Sequence, residues 1–187
     1  PGKNLTVVRA DILTYNLNTM PKGYKVVANV PYYITQKILE HMLRSFNQPA
    51  AMALLVQQEV ADKLAAGPGK LTPVAVKTQL HYDILCGTRV PKEYFTPPPN
   101  VDSQVVICTK KHVDKYVETN QKDVWRVIDA GFSAPRKKLK TALAGGLGLA
   151  KDDAESLCRQ ADIVADERAA DVPVGSWVAL ARLYGSR

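Results

Sequence analysis

The chain is short of the residues that lock extracellular folds or hold metals. Cys86, Cys108 and Cys158 are the only cysteines in 187 residues. They are odd in number, far apart and outside any CxxC or Cys/His cluster, which argues against a disulfide framework and against zinc. The thiols read as reduced and packed, with no metal expected. No apolar run approaches the roughly 20 residues that cross a bilayer, and no leader-like segment precedes the first apolar stretch, so a cytoplasmic monomer away from membranes is expected. Internal repeats and low-complexity segments are missing too. So is a glycine-rich phosphate or cofactor loop after the first apolar segment.

What is present is an ordinary globular composition, 46% hydrophobic and 23% charged, with a net charge of +7. That excess of positive charge points to an anionic partner. Residues 1–112 hold 13 basic and 7 acidic side chains, whereas residues 113–187 hold 12 and 11. Within the balanced second part, Arg136, Lys137, Lys138 and Lys140 form a compact basic block with no acid among them.

Hydrophobic patterning divides the chain at the same place. Leu5 to Arg9, Lys25 to Val30, Ala51 to Val56, Asp83 to Val90 and Gln104 to Thr109 read as strands. Gln36 to Phe46 carries Ile38, Leu39, Met42, Leu43 and Phe46 on one helical stripe. Gln58 to Ala66 reads as a helix ended by Gly67-Pro68-Gly69, and Thr72-Pro73 as a capped helix start. Strands alternating with helices predict βαβ units and a parallel sheet. After a boundary near residues 113–121 the period is helical only. Stripes at Val124, Trp125, Ile128 and Phe132, then in Pro135–Leu147, Lys151–Ala161 and Val174–Tyr184, predict about four helices.

The stretch Val27-Ala28-Asn29-Val30-Pro31-Tyr32-Tyr33 carries the most chemistry. A buried strand that ends in an amide, a proline and two aromatics delivers polar and stacking groups to the rim of a sheet, where open α/β folds bind ligands. A planar, adenine-sized substrate could be held there; a strand end with a turn proline and half-buried tyrosines is the other reading of these residues alone. The loop Pro91 to Ser103 includes three successive prolines, a stiff frame that can present Tyr94 and Phe95 as an aromatic wall. Asp11 follows the first strand pattern, a place for an acceptor of nucleoside hydrogen bonds and, more commonly, for a turn residue.

In order, Asn29-Val30-Pro31-Tyr32, Gln58-Glu59-Val60-Ala61, Phe95-Thr96-Pro97-Pro98-Pro99-Asn100-Val101-Asp102-Ser103 and Phe132-Ser133-Ala134-Pro135-Arg136-Lys137-Lys138-Leu139 resemble the rRNA adenine dimethyltransferases of the KsgA family. Val30 replaces the usual leucine or isoleucine, and Ala134-Pro135 a more polar pair. The resemblance implies an α/β, Rossmann-like methyltransferase sheet over residues 1–112 and an all-helical rRNA-binding domain over 113–187. It further implies S-adenosylmethionine as methyl donor and small-subunit rRNA, or the pre-ribosomal small subunit, as partner. By the same resemblance Asn29, Pro31 and Tyr32 are catalytic, with the Asn29 amide oxygen and the Pro31 carbonyl accepting the two N–H bonds of the target amine. Asp11, Ile12 and Asn29 contact the cofactor, Tyr32 and Phe95 stack on the base, and Arg136, Lys137, Lys138 and Lys140 face RNA.

The family's glycine-rich cofactor loop and ribose-holding acid have no counterpart here. Their strands belong between Leu5–Arg9 and Lys25–Val30, so the sheet is expected to be N-terminally truncated and the chain alone to bind cofactor weakly or not at all. A large-subunit rRNA methyltransferase of the resistance type and a non-catalytic RNA- or ribosome-binding module are the competing readings.

Overall fold

The computed structural model describes residues 4–111 and 120–186. β1 (Lys25–Asn29) leads through α1 (Thr35–Arg44) to β2 (Ala51–Gln57), which lies parallel to it. From there α2 (Gln58–Leu64) and α3 (Pro73–His81) lead to β3 (Tyr82–Val90), and β4 (Ser103–Lys110) runs antiparallel between β2 and β3. The sheet order is β1-β2-β4-β3. A wholly parallel sheet was the expectation, and β4 departs from it. Residues 91–102, which join β3 to β4, contain no α-helix, only a 3-10 turn at Lys92–Tyr94. Without a crossover helix the chain can only reverse and pair antiparallel.

Alternation sets the sheet's buried face. Met52, Leu54 and Val56 of β2 and Val106 and Cys108 of β4 are all buried, and Ile38, Leu39, Met42 and Leu43 of α1 join the same core. Phe46 does not join them and is 99% exposed. The helix stops at Arg44 with Ser45 in extended conformation, so the helical spacing that would bring Phe46 inward is lost. At the start of α3 the Thr72 hydroxyl accepts from the Ala75 N–H, satisfying a donor that the helix itself leaves unpaired.

The segment Leu5–Arg9 is not a strand. Leu5, Val7 and Val8 are exposed, and no described strand pairs with them. β1 is itself an edge, with Val27 exposed. An apolar alternation without a neighbouring ladder has nothing to hold it extended.

Four helices follow: α4 (Gln121–Gly131), α5 (Leu139–Leu147), α6 (Lys151–Gln160) and α7 (Ser176–Gly185). Most of the expected boundary lies in residues 112–119, outside the described residues. The helices pack onto the α/β part, since the Gln121 amide donates to the Leu43 carbonyl at 3.0 Å and the Gly69 N–H to the Ala170 carbonyl at 2.8 Å. Trp177 is fully buried and stacks on Phe132 at 5.4 Å. Pro135 does not begin a helix, contrary to expectation. The N–H groups of Leu139 and Lys140 donate to the carbonyls of Glu167 and Ala165 at 2.7 and 3.1 Å, and this docking fixes the helix start at Leu139. Arg136, Lys137 and Lys138 therefore sit in the turn before α5, and Lys140 in its first turn.

Candidate active site

The rim motif is built by one change of direction. Val30 extends the β1–β2 pairing by one bond, its N–H donating to the Leu55 carbonyl at 3.4 Å, and its side chain is buried. Asn29 precedes it and faces the other way, exposed, with no hydrogen bond to its amide side chain among the described residues. Pro31 then turns the chain into a 3-10 turn, Tyr32–Ile34, that runs directly into α1. An amide left unpaired at a sheet rim is a group available to a ligand.

Tyr32 is held from below. Its phenol hydroxyl lies 2.5 Å from the hydroxyl of Ser103, the first residue of β4, which has no exposed surface. Asp102 closes the proline loop on itself: its carboxylate accepts from the Lys92 N–H at 3.1 Å, and its carbonyl accepts from the Gln58 N–H at 3.0 Å. Phe95, Pro97 and Pro99 are thereby brought against Asn29, Val30, Pro31 and Tyr32 around a cavity of about 320 Å³. Tyr94, expected on the same wall, does not line this cavity and is largely exposed, as is Tyr33.

Not every residue expected in the site is free to act there. The Pro31 carbonyl accepts from the Ile34 N–H at 3.1 Å and the Thr35 hydroxyl at 3.3 Å, so both lone pairs are committed to the start of α1. It has none left for a substrate amine. The Asp11 carboxylate accepts from the Leu13 N–H at 2.9 Å, and its carbonyl from the N–H groups of Thr14 and Tyr15, which makes it a turn residue first. Ile12 lines a second, apolar cavity of about 240 Å³ with Val8, Ala10, Tyr15 and Met20, and this cavity shares no residue with the one at Asn29.

The apolar walls of that second cavity suit a purine ring, and Asp11 is not among the residues that line it. Neither cavity is lined by an acid that could hold ribose hydroxyls or a cation that could hold an amino-acid carboxylate. The described residues thus fit the base end of S-adenosylmethionine and not the rest of it. Among them no group of three or more His, Cys, Asp or Glu could hold a metal ion.

The basic block is not uniform. Lys138 donates to Asp166 at 2.7 Å, and Lys140 bridges Glu155 and Asp166, both at 2.9 Å. Those hydrogen bonds raise the Lys140 pKa and lower that of Asp166 to about 2, Lys138 being the larger cause for Asp166. Arg136 and Lys137 are exposed, with no ion pair among the described residues. The acids lie 15 to 28 positions away in sequence, invisible to a local scan for charge runs. Asp102 and Ser103, which brace the loop and Tyr32, were also passed over. Their one signal was a polar pair between a proline run and an apolar strand.

The sheet is mixed, and its rim offers an amide, a proline and a tyrosine beside an aromatic cavity. Residues 1–185 match the family model described as ribosomal RNA adenine dimethylase, and the chain belongs to that family. It is 33% identical to the ribosomal RNA small subunit methyltransferase A of Dehalococcoides mccartyi, covering 97% of this chain and 63% of that protein. The Corynebacterium efficiens protein of the same name is 36% identical over 97% of this chain and 64% of its own length. The chain therefore spans a little under two thirds of these curated relatives. A dimethyladenosine transferase from Plasmodium falciparum shares the fold, with a TM-score of 0.80 at 19% identity over 98% of this chain and 74% of the other. The 23S rRNA methyltransferase ErmE aligns with a TM-score of 0.66 at 19% identity over 94% and 70%.

Proposed function

We propose that this chain carries the base-holding and RNA-contacting parts of an S-adenosylmethionine-dependent enzyme that dimethylates adenine amines of small-subunit rRNA. The observation that carries this reading is the unpaired Asn29 amide at the mouth of a cavity walled by Tyr32 and Phe95. An adenine amine is a poor nucleophile because its lone pair is delocalised into the ring. The Asn29 side-chain oxygen accepts one of its N–H bonds and favours a pyramidal nitrogen. With the Pro31 carbonyl committed elsewhere, the main chain of Val30, which also lines the cavity, supplies the second acceptor.

Tyr32 and Phe95 clamp the flipped base, and stacking of about 1–3 kcal/mol per base offsets part of the unstacking cost. Bound cofactor supplies a methyl group already activated on a sulfonium. Asp11, Ile12 and Asn29 are the residues of this chain that would hold it. Orientation and desolvation therefore do most of the work. No carboxylate or imidazole lines the cavity, and the proton shed by the methylated amine leaves through the exposed side at Asn29 and Pro31.

The names of the sequence relatives favour small-subunit over large-subunit rRNA as substrate. Methyl transfer assays on unmethylated small-subunit particles and on large-subunit RNA, using a protein of the relatives' full length, test the proposal. Transfer confined to the small subunit is expected, and transfer to large-subunit RNA alone refutes it. For the 187-residue chain by itself, calorimetry is expected to show weak or no S-adenosylmethionine binding, because neither cavity offers groups for the ribose or the amino-acid end.

A further inference from the structure

A second basic surface lies away from the turn before α5. Arg44 ends α1, and its guanidinium carbon sits 4.2 Å over the ring of Trp125, a buried residue of α4. Lys122 and Arg126 are exposed on α4, four positions apart and so on one face, about 5–6 Å between Cβ atoms. With Gln121, Trp125 and Asp129 these three cations line a groove of about 240 Å³ between α1 and α4. Arg126 also lies over the Tyr184 ring at 5.4 Å, and the Gln121 amide is tied to the Leu43 carbonyl.

Its electrostatics are one-sided. Asp129 is the only acid in the lining among the described residues, and its carboxylate takes a hydrogen bond of 2.6 Å from Lys77. Lys77 is buried inside the fold, also faces Glu40 at 3.8 Å, and sits 4.5 Å from the Trp125 ring. An internal lysine thus neutralises the groove's acid. Asp123, the other acid of α4, lies toward Gly185. Arg44, Lys122 and Arg126 are exposed, with no ion pair among the described residues.

We propose that this groove binds the phosphate backbone of the same RNA whose base enters the Asn29 cavity, an inference that rests on the function proposed above. Planar guanidinium groups held by aromatic rings are preorganised for phosphate oxygens and lose little freedom on binding. The α4 axis from Lys122 to Gly131 is roughly 15 Å long at 1.5 Å per residue, and Arg136 and Lys137 follow just beyond its end. The two clusters add to affinity without reading sequence.

The test is the salt dependence of binding between the 187-residue chain and a small-subunit rRNA hairpin fragment. Each lost phosphate contact lowers the slope of log affinity against log salt by about 1. A Lys122→Gln/Arg126→Gln double variant is expected to lower it by about 2, and Arg44→Gln by about 1. Arg159→Gln, on α6, is expected to leave it unchanged. All four positions are exposed, and an unchanged unfolding midpoint checks that each variant folds. A slope for the double variant equal to wild type overturns the groove, as does an equal loss with Arg159→Gln. Arg136→Gln/Lys137→Gln is measured alongside. If that pair lowers the slope and the groove variants do not, only the groove falls. If the wild-type chain shows no salt-dependent binding, the functional reading falls and the groove with it.

Discussion

Ser103 exposes nothing to solvent, yet its hydroxyl is what fixes the Tyr32 ring against the sheet. Ser103→Ala removes that anchor and leaves the phenol to find water at a half-buried position, a loss of about 1 kcal/mol. The kcat/KM of a full-length enzyme for RNA is expected to fall by about fivefold. Tyr32→Phe, which keeps the ring and loses the same bond, should reproduce it. If Tyr32→Phe is neutral while Ser103→Ala is not, the bond is not the cause. Asn29→Ala acts on chemistry instead. Deleting one preorganised group aimed at the reacting atom costs about 10²–10³ in turnover. RNA affinity should stay within about twofold of wild type, as measured by titration. Equal losses in both would remove Asn29 from the catalytic role. The amide was legible in the sequence because it interrupts an apolar run. That the Pro31 carbonyl already accepts from Ile34 and Thr35 was not legible, because only the structure shows which lone pairs the following turn consumes.

Two adjacent glycines separate packing from propensity at the scale of the helix pair. A Cβ on Gly146 of α5 would lie 2.6 Å from the Ala130 Cα and 2.7 Å from its Cβ, main-chain neighbours that cannot rotate away. A Cβ on Gly145 meets nothing within 4 Å. Alanine in a helix gains about 1 kcal/mol over glycine, while overpacking costs about 1–3 kcal/mol. Gly146→Ala should therefore lower the unfolding midpoint by several degrees and Gly145→Ala raise it, by calorimetry or circular dichroism. Midpoints moving together would mean that α4 and α5 are not in close contact. Most elements were legible, α1, α6 and α7 from period because each buries one stripe, and α3 from its Thr72-Pro73 start. The elements that were missed depend on partners far along the chain. Leu5–Arg9 has the alternation of a strand and no neighbour, and α5 starts four residues late because carbonyls at 165 and 167 cap it.

Charge is distributed over the whole molecule so that the basic turn before α5 is part bound and part free, and pH tests the bound part. Hydrogen bonds from Lys138 and then Lys140 hold the Asp166 carboxyl at about 2, below its ordinary 3.8. As pH falls through 3.8 the unfolded chain takes up this proton while the folded chain does not. The stability that Asp166 contributes is therefore complete above about pH 4 and is lost as pH falls through about 2. Neighbouring Glu167 runs the other way, since burial raises its pKa. The comparison must accordingly be wild type against Asp166→Asn, in which the Glu167 contribution is common to both. The midpoint difference between the two should be constant from pH 7 to about 4 and close to zero near pH 2. A difference that persists at pH 2 would show that Asp166 acts through packing. At neutral pH the same variant frees Lys138 while Lys140 keeps its bond to Glu155, adding net positive charge beside Arg136 and Lys137. RNA binding by Asp166→Asn should tighten and its salt slope steepen by about 1, the sign opposite to every other substitution that loses a charge at this surface. Weaker RNA binding would mean that the ion pairs place the lysines for RNA rather than withhold them.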